Sequence, residues 1–264
     1  MPGPDQAQVK SAKEEQVKAE VVLTVAESKR LIAKGVAQLE MVRDRLQKGV
    51  IMISSGTTNA YIVEELLGER MDKRSYVTGR IKPAGKQLRW PKLRHDVVLR
   101  DGQLDPSLDR FSAIKVMGAG DIFVKGANAL NYQTGVAGVL VGDRRGGTIG
   151  GVIGPIIARK IHLLIPLGLE KEVAFDIEEV TRRIQEPEEG VGEVTSLFPM
   201  RGFIFTEIEA LRTLSGVEAV QVAAGGISGA EGGVWLLLQG TEEQVKRALE
   251  VVEGVQGEPP FDPE

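Results

Sequence analysis

Between residues 24 and 49, apolar side chains recur at three- and four-residue steps. Leu31, Ile32, Val36, Leu39, Val42 and Leu46 form the stripe of one amphipathic helix. Thr24 and Glu27 stand at capping-box spacing ahead of it, and Gly49 follows Lys48 as a left-handed stop with a cation in the last turn. The period then changes. "VIMI", residues 50–53, is a continuous apolar run of the kind a parallel sheet buries on both faces. A second helix is predicted over 57–67, where Ile62 pairs with Leu66, Val63 with Leu67, and Gly68 closes the last turn. Further along, "DIFVKG" and "KIHLLIPL" read as buried strands, with "GTIGGVIGPIIAR" as a small-residue turn and helix feeding the second of them.

Strands alternating with helices predict an α/β fold, a layered and mostly parallel sheet with helices on both faces. Residues 20–184 are assigned to this domain, and residues 1–19 to a flexible start. "QEPEEGVG" changes the character of the chain, so 185–192 is read as a linker. Beyond it, "FTEIEALRTLSG" is helical, "VEAVQVAAGG" and "GGVWLLLQG" are strand-like, and "TEEQVKRALEVVEG" is a helix capped by Thr241. With "EVTSLFP" as first strand and "GGISGAEGG" as hairpin connection, residues 193–258 are expected to form a small ferredoxin-like α+β domain. Residues 259–264 close the chain as a loose tail, and "GEPPFDPE" as a whole has that character.

Composition removes several functions. There are no cysteines, which excludes disulfides, thiol catalysis and cysteine-ligated metals. A net charge of −4 supplies no field that would gather nucleic acid, and no apolar run approaches the roughly 18–20 residues that cross a bilayer. The start of the chain is polar and of mixed charge, unlike a signal peptide. The expectation is a soluble, cytoplasmic protein without a membrane partner. One basic stretch, from Arg74 to Arg100 with Tyr76 and Trp90 among its cations, has the interleaving that could stack on nucleic acid. The acidic balance argues instead for a structural loop or lid.

The chemistry concentrates where "VIMI" meets "SSGTT". A buried strand that stops at Ser54, Ser55, Gly56, Thr57 and Thr58 and starts a helix leaves backbone N–H groups and a positive dipole end exposed, a cradle for phosphate or carboxylate. The alternative is that Ser54, Ser55 or Thr57 caps the helix. Gly126 and Asn128 follow the next strand, with Asn128 either contacting a ligand or bonding in a turn. Asp121 and Lys125, four apart on one strand face, could orient a hydroxyl or transfer a proton, or form a strand-end ion pair. Arg144 and Arg145, with Thr148 behind them, could grip an anion or sit in a solvated loop. His162 falls in an apolar strand and reads as a core residue; His95 beside Asp96 lacks triad or metal partners. No Walker lysine pattern, metal or cofactor is predicted.

These residues carry a resemblance. "IMISSGTTNAYIVEELLG" resembles the strand–SGTT–helix element of the ribose-5-phosphate isomerase and CoA-transferase-like superfamily. "GDIFVKGANALNYQTGVAG" is similar to its second element, and "GGTIGGVIGPIIARKIHLLIPLG" to its glycine-bearing helix and final sheet strand. The likeness covers roughly residues 50–175 through short motifs. It implies a sugar-phosphate-type ligand, with Asp121 and Lys125 in places comparable to the isomerase's catalytic groups. It also implies a glutamate base that "ANALNYQTG" does not supply, and an amide cannot replace it. Two readings follow. One is a protein that binds a small anionic, phosphorylated metabolite and resembles a sugar-phosphate isomerase. The other is a non-catalytic sensor or assembly protein whose C-terminal part makes homo-oligomer or partner contacts.

Overall fold

The computed structural model describes residues 15–78, 81–85, 91, 96–186 and 194–261. In chain order the strands are β1 (Val17–Leu23), β2 (Val50–Ile53), β3 (Val97–Arg100), β4 (Gln103–Leu104), β5 (Ile122–Val124), β6 (Ala129–Asn131), β7 (Val136–Val141), β8 (His162–Pro166), β9 (Ser196–Met200), β10 (Phe203–Phe205), β11 (Glu218–Gly225) and β12 (Gly233–Gly240). The helices are α1 (Val25–Gln38), α2 (Glu40–Gln47), α3 (Thr57–Leu67), α4 (Arg110–Val116), α5 (Gly147–Ala158), α6 (Ile177–Gln185), α7 (Glu207–Ser215) and α8 (Glu242–Glu253). Six strands form one mostly parallel sheet in the order β10-β8-β5-β2-β3-β4; β10, β8, β5 and β2 run parallel, and β3 and β4 are antiparallel additions.

The continuous apolar runs sit where their pattern requires. All four residues of β2 and all three of β5 are buried, as expected of interior strands in a sheet covered on both faces. Phe123, Met52 and Ile53 are fully buried and pack in one core with Tyr61, Ile62 and Phe205. Helices α1, α3 and α7 pack together as one group, and α4 and α5 as another. Two small antiparallel sheets complete the fold, β6-β7-β9 and β1-β12-β11.

Several expectations change. The helix predicted to run from Thr24 to Lys48 is two helices, broken at Leu39, whose ψ of 131° is extended; the capping box of Thr24 with Glu27 forms as expected. The break keeps Val42 against the core at 1 % exposure. Residues 17–19 are not loose. Val17, Ala19, Val21 and Leu23 alternate inward, and β12 pairs with the strand over its whole length, from Val17 opposite Gly240 to Leu23 opposite Val234. "EVTSLFP" does not open the C-terminal unit: β9 pairs with β7 instead, and β1 takes the outer place beside β12. β8 is not the last strand of the main sheet, because β10 adds beside it. Lys73–Tyr76, at the start of the basic stretch, form a short 3-10 turn. Most of the proposed linker, residues 187–192, lies outside the described residues. Glu258, in the stretch expected to be loose, is 6 % exposed at its side chain and bonded to Arg30. His162 is exposed at the start of β8 and is no core histidine. Among the described residues no helix is long and apolar enough to cross a membrane.

Candidate anion-binding site

The carboxyl ends of the parallel strands converge on one cavity of about 1020 Å³. Ser55, Gly56, Thr57 and Thr58 reach it from the end of β2, Lys125, Gly126 and Asn128 from the end of β5, and Glu170 and Lys171 from beyond β8. This is where open α/β sheets form ligand crevices, because helix N-termini and strand-end loops meet there. Arg110 enters at the start of α4 and Thr148 at the start of α5.

The cradle is built without a side-chain cap. The N-cap of α3 is Gly56, in extended backbone, and among the described residues no side chain caps the helix. The capping alternative for Ser54, Ser55 and Thr57 is therefore not realised. Ser54 turns away: its hydroxyl donates to the Val124 carbonyl at 2.9 Å, and the Asn59 amide donates to the Ser54 carbonyl at 2.7 Å. Those bonds fasten the turn to β5 and leave the helix end open. A Cβ on Gly56 would meet nothing closer than 3.6 Å, so the protein itself does not require glycine there, and the room is left to the cavity. Thr58 is 2 % exposed and Asn59 fully buried, yet Thr58 Oγ1 and Asn59 Oδ1 have no hydrogen-bond partner among the described residues. A buried polar atom without a partner costs about 1–3 kcal/mol.

Lys125 is the second component. It is half-buried, its Nζ donates to the Gly126 carbonyl at 2.9 Å, and no carboxylate among the described residues stands within ion-pair distance. Burial, with the cations of Lys171 and Arg110 nearby, pushes its pKa down to about 8 against the pull of Asp96. Arg110 is held differently. It grips the Asp96 carboxylate through Nε and through Nη2, the latter at 2.9 Å, and donates to the Thr148 hydroxyl. Asp96 also accepts from the Ser55 N–H at 3.3 Å, which ties the arginine to the cradle.

Other expected residues fall elsewhere. Asp121 is at the opposite end of β5 from Lys125, with the strand between them; its oxygens accept from the N–H groups of Val50 and Gly118, each at 2.8 Å. The two therefore do not meet at one site, since a strand rises about 3.3 Å per residue. Asn128 lines the cavity, but its side-chain oxygen accepts from the Leu140 N–H at 3.0 Å across the β6–β7 hairpin. Arg145 reaches the rim while its side chain is 92 % exposed beside Asp143, and Arg144 is exposed outside the lining. In the basic stretch Tyr76 is buried, donating to Ile53 O and accepting from Val97 N at 2.8 Å. Arg74 and Arg100 pair with Asp72 and Asp105. Arg80, Lys86, Arg89, Trp90, Lys92, Arg94 and His95 lie outside the described residues.

The residues that the motifs did not reveal are Asp96, Arg110, Glu170 and Lys171. Only the last two had a legible signal. They follow "HLLIPLGL", at the carboxyl end of a buried strand, where ligand contacts are expected. No family model matches the chain, and no curated protein or solved structure does.

Proposed function

We propose that the chain binds a small anionic, phosphorylated metabolite with its phosphate at the N-terminus of α3. The observation that carries this is an uncapped helix end facing the same cavity as a lysine with no carboxylate partner among the described residues. Backbone N–H groups of the first turn would hold the phosphate oxygens, Thr58 would gain the partner its hydroxyl lacks, and Lys125 would supply the compensating charge. The resemblance to the ribose-5-phosphate isomerase and CoA-transferase-like superfamily supports the same ligand class and makes sugar phosphates the first compounds to try. If the protein is an enzyme, Lys125 is the group suited to proton transfer near neutral pH. Asp121 is too far along β5 to share that work.

The experiment is titration calorimetry with inorganic phosphate and with pentose and hexose phosphates. Wild type should bind, and Lys125→Met should weaken binding by about tenfold or more. Absence of binding for every phosphate compound would sink the proposal. Incubation of each bound sugar phosphate with wild type, read by product analysis, separates an isomerase from a sensor.

A second reading, an assembly protein, rests on the outer face of the β1-β12-β11 sheet. Val220 and Val222 are 60 % and 58 % exposed, and Trp235 is 44 % exposed. An apolar face of this kind suits contact with a second copy. Light scattering across a dilution series tests it, since a monomer at every concentration would remove the support.

A further inference from the structure

A glutamate whose absence from "ANALNYQTG" left the site without an acid enters the cavity from another segment. Glu170 lines the cavity with its side chain 13 % exposed. Its Oε2 is buried with no hydrogen-bond partner among the described residues. That oxygen lies 1.7 Å from the place a Cβ on residue 168 would take, and Glu207 Oε1 lies 3.1 Å from the same place. Only glycine at 168 admits this arrangement, and it makes the two carboxyl groups near neighbours. Glu207, the first residue of α7, is fully buried and accepts from the Leu169 N–H at 3.0 Å. On the other side, Lys171 Nζ stands 4.0 Å from Glu170 Oε1. Lys29 of α1, 7 % exposed, lies within the electrostatic reach of both glutamates.

We propose that Glu170, backed by Glu207 over Gly168, is a second ligand-contacting group of this cavity and accepts a hydrogen bond from an uncharged hydroxyl at the far end of the phosphorylated ligand. The inference rests on the phosphate reading above. A carboxylate with one oxygen unpaired among the described residues and the other 4.0 Å from a lysine is short of donors, and a ligand hydroxyl in the cavity supplies one. Charge decides against an ammonium group in the same place. Lys29 and Lys171 already flank the two acids, and burial, reinforced by Glu170, pushes Glu207 up to about 7, so the pair carries less than two negative charges near neutrality. A third cation there would have no opposing charge to meet.

Matched ligands test this. Calorimetry with inorganic phosphate first asks whether the phosphate end binds. Alkyl phosphates of two to six carbons are then compared with their ω-hydroxy and ω-amino counterparts. At one chain length the hydroxyl should improve affinity by about tenfold over the plain alkyl chain, the amine should not, and Glu170→Leu should bring the hydroxyl-to-alkyl affinity ratio, taken within the variant itself, back to one. Glu170→Asp keeps the charge and draws it back by one methylene, so the best chain should become one carbon longer. This second variant decides the matter if the leucine variant does not fold. Phosphate binding with no hydroxyl gain at any length, a gain that survives Glu170→Leu, or a preference for the amine would each overturn the role of Glu170 and leave the phosphate site standing. Failure of inorganic phosphate and all alkyl phosphates to bind would overturn both.

Discussion

Two buried charge clusters, one around Arg30 and one at the cavity, are built to different ends. The first is saturated. Arg30, 3 % exposed at its side chain, bonds Glu64, Glu65 and Glu258, and Arg70 and Lys73 add further cations to Glu64 and Glu258. Arg30 also stacks on the Tyr61 ring at 4.7 Å, and Lys73 lies over the same ring at 4.6 Å. Although burial opposes it, these bonds push the Arg30 pKa further up and hold Glu64 below the ordinary carboxylate range. The second cluster is unfinished. Lys125 faces a carbonyl rather than a carboxylate, Glu170 Oε2 and Thr58 Oγ1 have no partner among the described residues, and Glu207 is driven toward its neutral form. A fully paired network ties elements together, here α1 to α3 and to the stretch after α8. An incompletely paired one that opens on a cavity has bonds left for something else to make.

If that contrast is right, substitutions in the two clusters move stability in opposite directions. The largest effect belongs to the saturated cluster. Arg30→Met keeps much of the volume but takes a buried partner from each of three carboxylates, and should cost about 3–5 kcal/mol in urea unfolding, with no change in phosphate affinity among molecules that remain folded. A loss under 1 kcal/mol would mean the network is ornamental.

Glu207→Gln should do the reverse. Folded Glu207 keeps its proton to about pH 7, whereas an ordinary glutamate releases it near 4.5. The folded chain therefore binds more protons than the unfolded chain between those values. Its stability falls as pH rises through that window and levels off above it. The glutamine variant lacks this slope and should be more stable than wild type at pH 8, by on the order of 2–3 kcal/mol. Parallel pH profiles for the two proteins would contradict the assignment.

Lys125 sharpens the comparison through binding. Its pKa near 8 in the empty cavity means that the cation is present at neutral pH and fades above it. An anion needs the charged form, so phosphate affinity should hold below pH 8 and fall by up to about tenfold per pH unit above it. Lys125→Met should flatten that profile and should not destabilise the fold. A profile in the variant as steep as wild type's would move the compensating charge to Lys171 or Arg110.

Periodicity made the strands and helices around the cavity legible, because β2, α3, β5 and β8 each carry their own pattern. The "SSGTT" turn could be placed because such a turn is local. What stayed hidden depends on partners far along the chain. β1 finds β12 across more than two hundred residues, and β9 finds β7 rather than the hairpin that follows it. Asp121 shows the same limit within one strand. Its neighbours in sequence are those of a site residue, while its hydrogen bonds to Val50 and Gly118 belong to the other end of the sheet. Arg110 and Asp96 gave no signal because neither sits in a motif and each matters only through the other and Ser55.

The smallest effect is the most discriminating. Thr58→Val replaces a hydroxyl that has no partner among the described residues with a methyl group of nearly the same shape. In a residue that served only the fold, the change would be neutral or harmful. In a residue kept for a ligand, the unpaired hydroxyl is a standing cost to the empty protein. Its removal should therefore raise stability by about 1 kcal/mol while phosphate binding weakens by roughly fivefold. Stability and affinity moving in opposite directions, measured by unfolding and calorimetry on the same preparation, would mark Thr58 as part of the cradle. A variant less stable than wild type with unchanged affinity would return the helix end to ordinary structure.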